Sequence, residues 1–117
     1  MDLTPAPKRT GQHKDIDLKL GHRKELAALL QRYLPNTQVW AFGSRVTFQS
    51  QHRGASDLDL VVFTSKAQSD AVENLREALE ESDLPFSVDV LVWDRVPEHF
   101  HANIERAYFV LQEQKTS

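Results

Sequence analysis

Two aspartates separated by one leucine, Asp57-Leu58-Asp59, open the apolar run LVVF, and no other feature constrains this chain as strongly. An extended strand sends alternate side chains to opposite faces. Asp57 and Asp59 are therefore expected on one face, with Leu58 and Leu60 on the other. At a rise of about 3.3 Å per residue, the two carboxylates stand about 7 Å apart. Asp is depleted in strands, and like charges taken out of water repel unless something positive lies between them. A divalent cation is the economical partner. Alone, such a pair is more often a hydrated loop feature, so its meaning depends on what accompanies it.

Two companions stand in the same sequence. Residues 38–42 read as a short buried strand carrying Val39, Trp40 and Phe42, and Gly43-Ser44 follows at once. Gly admits backbone angles closed to other residues, and Ser is a good helix N-cap, so 44–48 are expected to begin a helical turn. Such a turn lets phosphate oxygens approach the backbone and aims N–H donors at them. The second companion is Asp89, flanked by Val88 and Val90 in the middle of a third expected strand, 86–93. Its plainer reading is an exposed edge residue or a salt-bridge partner. Mg²⁺ takes hard oxygen ligands from a few carboxylates and from substrate phosphates. Two such ions can clamp the attacking and leaving oxygens of an in-line displacement at phosphorus. Arg45 and Arg53 are candidates to neutralise the remaining phosphate charge, against the alternative of surface residues packing their stems.

The rest of the chain reads as support. Leu26, Leu29, Leu30, Tyr33 and Leu34 form one helical stripe within 20–34, ended by Pro35-Asn36. The polar stretch 49–56 reads as loop, and 57–63 as the second strand. A helix starts near Ser65, which has capping-box spacing to Gln68, or near Ser69, and runs to about 81–85. Its five acidic residues between Glu73 and Asp83 are expected to be solvated surface. On the third strand Phe86, Val88, Val90 and Val92 share one face, and Ser87, Asp89, Leu91 and Trp93 the other. Pro97 suits the first position of a last helix carrying Phe100, Ile104, Ala107, Tyr108 and Leu111. The segment 108–111 reads alternatively as a closing strand. The predicted fold class is α/β (α+β), a small mixed sheet with helices packed on it. The expected organisation is a tail over 1–14, one domain over 15–113 and a short tail over 114–117.

Composition narrows the function classes. The net charge of −3 gives no bulk attraction to nucleic acid. Absence of cysteine excludes disulfides and thiolate metal sites and suits a reducing cytoplasm, the expected location. The N-terminus lacks the apolar core of a signal peptide, and the apolar run 26–30 is far too short to span a membrane. His99 and His101, two apart on a helix, do not share a face. His13, His22 and His52 read as solvated, so no zinc site is expected. Trp40 and Trp93 are expected in the core or at a subunit interface.

Gly43-Ser44, twelve residues, then Asp57-Leu58-Asp59 resembles the signature of the DNA polymerase β-like nucleotidyltransferase superfamily. Asp89 in VDVLV matches that family's third, separately placed carboxylate. The short chain with FGSR and SDLDL is most similar to the minimal nucleotidyltransferase (MNT) proteins. It resembles in particular the MNT halves of two-protein modules whose partner is a HEPN-type helical-bundle protein. The resemblance spans about residues 20–112. It implies that Asp57 and Asp59 bind two Mg²⁺ ions, with Asp89 completing the site and helping to activate an acceptor hydroxyl. It further implies that Gly43 and Ser44 hold the β- and γ-phosphates of ATP or another nucleoside triphosphate. Many MNT proteins carry a second basic residue where this chain has Thr47, and Arg53 is the alternative source of that charge. The expected activity is transfer of a nucleoside monophosphate, AMP from ATP, to a hydroxyl. The acceptor implied is a tyrosine of the HEPN partner, in a toxin–antitoxin hetero-complex, with a homodimer also open. The competing reading is a nucleotide-binding module that regulates a helical partner by contact alone. An antibiotic-type transferase is disfavoured, because such chains carry more protein around the acceptor.

Overall fold

The computed structural model describes residues 11–48 and 57–114. Its elements follow the order α1 (Leu20–Tyr33), β1 (Val39–Phe42), α2 (Ser44–Thr47), β2 (Leu58–Val62), α3 (Ser69–Glu80), β3 (Val88–Val92), α4 (Glu98–Arg106) and β4 (Tyr108–Gln112). The strands make one four-stranded mixed sheet in the order β3-β2-β1-β4. β2 and β3 are parallel, and α3 forms the crossover that a parallel pair requires. β1 is antiparallel to both β2 and β4.

Local chemistry explains the boundaries. α1 buries Leu26 and Leu30, and its C-cap Leu34 is buried as well. Pro35 cannot continue the helix, and Asn36 takes a positive φ of 57° that turns the chain towards β1. Both predicted starts of the third helix are used. Ser65 and Gln68 form the capping box around a 3-10 turn, Lys66–Gln68, and the α-helix proper begins at Ser69. Pro97 is the N-cap of α4 rather than its first residue.

The structure decides one open alternative and shortens two predicted strands. The segment from Tyr108 is strand and not helix, because the open edge of β1 offers a ladder that an isolated last turn of α4 cannot match. β2 is shorter than predicted: pairing begins with the Leu58 N–H donating to Ser87 O at 2.8 Å, so Asp57 lies just outside it. β3 likewise excludes Phe86, Ser87 and Trp93, the last of which opens a 3-10 turn, Trp93–Arg95. Two residues of the expected tail, Gly11 and His13, hydrogen-bond to β4. The His13 N–H donates to Tyr108 O at 2.7 Å, and the Tyr108 N–H donates to Gly11 O at 3.1 Å.

Strand alternation divides the core into two. Val39, Ala41, Leu58, Leu60, Val62, Val90 and Phe109 face α1 and α3 in an aliphatic layer. Trp40, Phe42, Val61, Phe63, Trp93 and Tyr108 face the other way, towards Val96 and Ile104, in an aromatic layer. Trp40 stacks on Tyr108 at 3.7 Å between ring centroids, which places both expected tryptophans in the core. The aliphatic face has two helices over it and the aromatic face one, α4. A carboxylate on the β3 side of the aromatic face can therefore meet water. Leu30 is fully enclosed by the aliphatic layer. Leu30→Ala is expected to cost about 2–5 kcal/mol of unfolding free energy, read from denaturant melts, by transfer and cavity costs together.

Candidate active site

Register brings two of the three predicted carboxylates, Asp59 and Asp89, together. Across the sheet, Tyr108 pairs with Phe42, Phe42 with Asp59, and Asp59 with Asp89. These four lie in one row, and exposure rises along it. Tyr108 is fully buried, Phe42 nearly so, Asp59 is half-buried and Asp89 exposed. Neighbouring strands are about 4.8 Å apart, so Asp59 and Asp89 project side by side from the same face. Asp57 precedes the strand and is exposed.

Gly43 closes the arrangement from β1. It has φ 88° and ψ −159°, a region open essentially only to glycine. A Cβ at this position would stand 2.7 Å from Asp59 Oδ2. The missing side chain is what lets the carboxylate lie against the turn. Ser44 then begins α2, and the Val46 and Thr47 N–H groups donate to Gly43 O at 3.0 and 3.2 Å. The Gly43-Ser44 turn and a carboxylate of the pair are thus in contact, although fifteen positions lie between Gly43 and Asp59 in the chain.

Arg45 stands differently from its sequence expectation. Its Nη1 donates to Asp17 O at 2.9 Å, and its guanidinium lies over the Phe86 ring. Arg53 falls outside the described residues, as do His52 and the whole of the predicted 49–56 loop. Thr47 Oγ1 donates to Ser44 O within its own turn.

Asp59 and Asp89 open into a cleft of about 1070 Å³, which Phe42, Phe86, Phe100 and Arg76 also line. That is ample for a nucleotide-sized ligand. Sequence reasoning gave Phe100 and Arg76 no place at the site. Phe100 meets Phe42 edge-to-face at 6.0 Å. Arg76 pairs with Glu73 and donates through Nη2 to Val90 O at 2.6 Å, which occupies the outer edge of β3 next to Asp89. The Glu73–Arg76 helical spacing was visible in the sequence; the reach to β3 was not.

Burial pushes the Asp59 carboxyl above its ordinary value, and the charges of Asp89 and then Asp57 push it further the same way. The site thus holds more negative charge than it compensates. Among the described residues, no three His, Cys, Asp or Glu side chains gather tightly enough to hold a metal by themselves. Hard carboxylate oxygens with uncompensated charge nevertheless fit a Mg²⁺-type ion that draws its other ligands from phosphates and water.

No helix among the described residues is long and apolar enough to cross a membrane. The family described as "Polymerase beta, Nucleotidyltransferase" matches residues 24–117. The chain is 38% identical over 101 residues to the "Probable protein adenylyltransferase MntA" of Haemophilus influenzae. That match covers 86% of this chain and 87% of the relative.

Proposed function

The chain belongs to the polymerase β nucleotidyltransferase family, and from that premise we propose that this enzyme moves AMP from ATP to a hydroxyl group of a protein. The observation that carries the reading is the side-by-side placement of Asp59 and Asp89, with the glycine turn pressed against Asp59. The word adenylyltransferase in the relative's name supports the choice of AMP, and the word protein supports the class of acceptor.

In this reading the Gly43-Ser44 turn receives the β- and γ-phosphates, with Gly43 allowing the close approach and the first N–H groups of α2 facing the oxygens. Asp57, Asp59 and Asp89 would hold Mg²⁺, which neutralises charge on the triphosphate. Asp89, the more exposed of the central pair, accepts the proton of the acceptor hydroxyl. The hydroxyl oxygen forms a bond to the α-phosphorus, the bond from that phosphorus to the α–β bridging oxygen breaks, and pyrophosphate leaves. The Asp59 carboxylate, packed against Gly43, fixes the α-phosphate end relative to the turn. The acceptor of choice is a tyrosine on a HEPN-type helical-bundle partner, so that modification silences a toxin.

The test uses the purified chain with a HEPN-type helical-bundle protein as acceptor, Mg²⁺ and ATP labelled at either the α- or the γ-phosphate. Label should enter the partner from α-labelled ATP only. Transfer of γ-label would make the enzyme a phosphotransferase. A stable complex with neither label transferred would favour regulation by contact alone.

A further inference from the structure

Arg45 follows the Gly43-Ser44 turn directly, and it reaches Asp17 and Phe86. The Arg45 Nη1 donates to Asp17 O at 2.9 Å, while the Asp17 N–H donates to Arg45 O at 2.7 Å. These two bonds close a reciprocal clamp between the segment before α1 and the start of α2. The guanidinium carbon lies 4.4 Å from the centroid of the Phe86 ring. Phe86 is buried and meets His22 of α1 edge-to-face at 5.7 Å. It stands three residues before Asp89. One side chain therefore joins the segment before α1, the Gly43-Ser44 turn and the approach to β3.

We propose that Arg45 is a positioning residue, which sets the phosphate turn against the strand carrying Asp89 rather than binding phosphate itself. The inference rests on the reading that the Gly43-Ser44 turn receives ATP. Its physical basis is the tight fit at Gly43, where Asp59 Oδ2 already occupies the space of a side chain. A turn free to move by a fraction of an ångström would press on that carboxylate or part from it. The planar guanidinium suits the clamp because it can hydrogen-bond at its edge and stack on Phe86 with its face. A lysine ammonium keeps the charge but cannot do both.

Three variants separate the two roles: Arg45→Lys, Arg45→Met and Phe86→Leu. Each is measured by calorimetric titration with Mg²⁺ and ATP and by amide hydrogen exchange without nucleotide. A positioning role predicts that Arg45→Lys loses as much ATP affinity as Arg45→Met, about tenfold. It also predicts that Phe86→Leu, which leaves the arginine charge in place but removes the ring under it, quickens exchange at the Asp17 amide. Exchange at the Asp17 amide should quicken in both arginine variants. A phosphate-ligand role predicts the opposite pattern. Arg45→Lys would stay near wild type, and Asp17 exchange would not change in any of the three variants. That pattern overturns the proposal. Should the wild-type chain bind no ATP, the proposed function fails, and the Asp17 exchange rates still decide whether the clamp exists.

Discussion

Asp59→Asn is expected to slow nucleotidyl transfer severely and, in the same molecule, to stabilise the metal-free fold. The two effects have one cause. Asp59 is partly buried beside Asp89 and Asp57, and its carboxyl is raised above the ordinary value by that burial and by those charges. A raised carboxyl binds its proton more tightly in the folded chain than in the unfolded one. The penalty for charging it is therefore present above its folded pKa, and it is relieved as pH falls through that pKa towards the unfolded value. Asn removes the charge and the penalty with it. At neutral pH the metal-free variant should melt higher than wild type, and the difference should shrink as pH is lowered. Activity moves the other way. Charge stabilisation at a metal-held site is worth several kcal/mol, and at about 1.4 kcal/mol per tenfold in rate the expected loss is about 10³-fold. Thermal melts paired with α-label transfer check both halves. An active variant, or one that melts lower than wild type at neutral pH, would show that Asp59 belongs to a structural network instead. The combination of lost function and gained stability is the signature of a site held under electrostatic tension.

Gly43→Ala is expected to produce the second large effect, on different grounds. The backbone here sits at φ 88° and ψ −159°, where a side chain costs on the order of 1–3 kcal/mol. The new Cβ would also arrive 2.7 Å from Asp59 Oδ2, closer than such atoms approach. Either the turn or the carboxylate must give way. A misplacement of about 1 Å in a reacting geometry can cost about 10²-fold in rate, so transfer should fall by at least that much. The diagnostic is coupling. In the Asp59→Asn background, the stability cost of Gly43→Ala should shrink, because the neutral amide can shift where the paired carboxylate cannot. Additive stability losses in the double mutant would mean that Gly43 and Asp59 do not interact.

How far the sequence led can be judged from particular residues. The sheet, its helices and the polymerase β resemblance were legible, because apolar periodicity and the GS…DLD spacing are local or nearly so. The alternation in 86–93 predicted which residues share a face, and the two core layers follow it. The end of the chain was ambiguous for a physical reason. Ile104, Ala107, Tyr108 and Leu111 satisfy helical spacing, and only the open edge of β1 makes Tyr108–Gln112 a strand. The candidate site was legible as a set of residue types but not as contacts. That Asp89 lies directly opposite Asp59 is a matter of parallel register, and register depends on where the α3 crossover returns the chain. The contacts of Arg45 were hidden because its partner Asp17 lies 28 positions earlier in an irregular segment. Arg76 gives no such signal, because helical charge spacing marks a surface pair and says nothing of a reach to Val90.

The most direct measurement titrates Mn²⁺, as a paramagnetic substitute for Mg²⁺, into the isotopically labelled chain with a non-hydrolysable ATP analogue, while backbone amide signals are followed. Selective broadening should centre on Gly43, Asp59 and Asp89, and it should be lost in Asp59→Asn and Asp89→Asn. Broadening centred elsewhere, or unchanged binding of Mn²⁺ and nucleotide by both variants, would contradict a metal–phosphate site built on the Asp59–Asp89 pair.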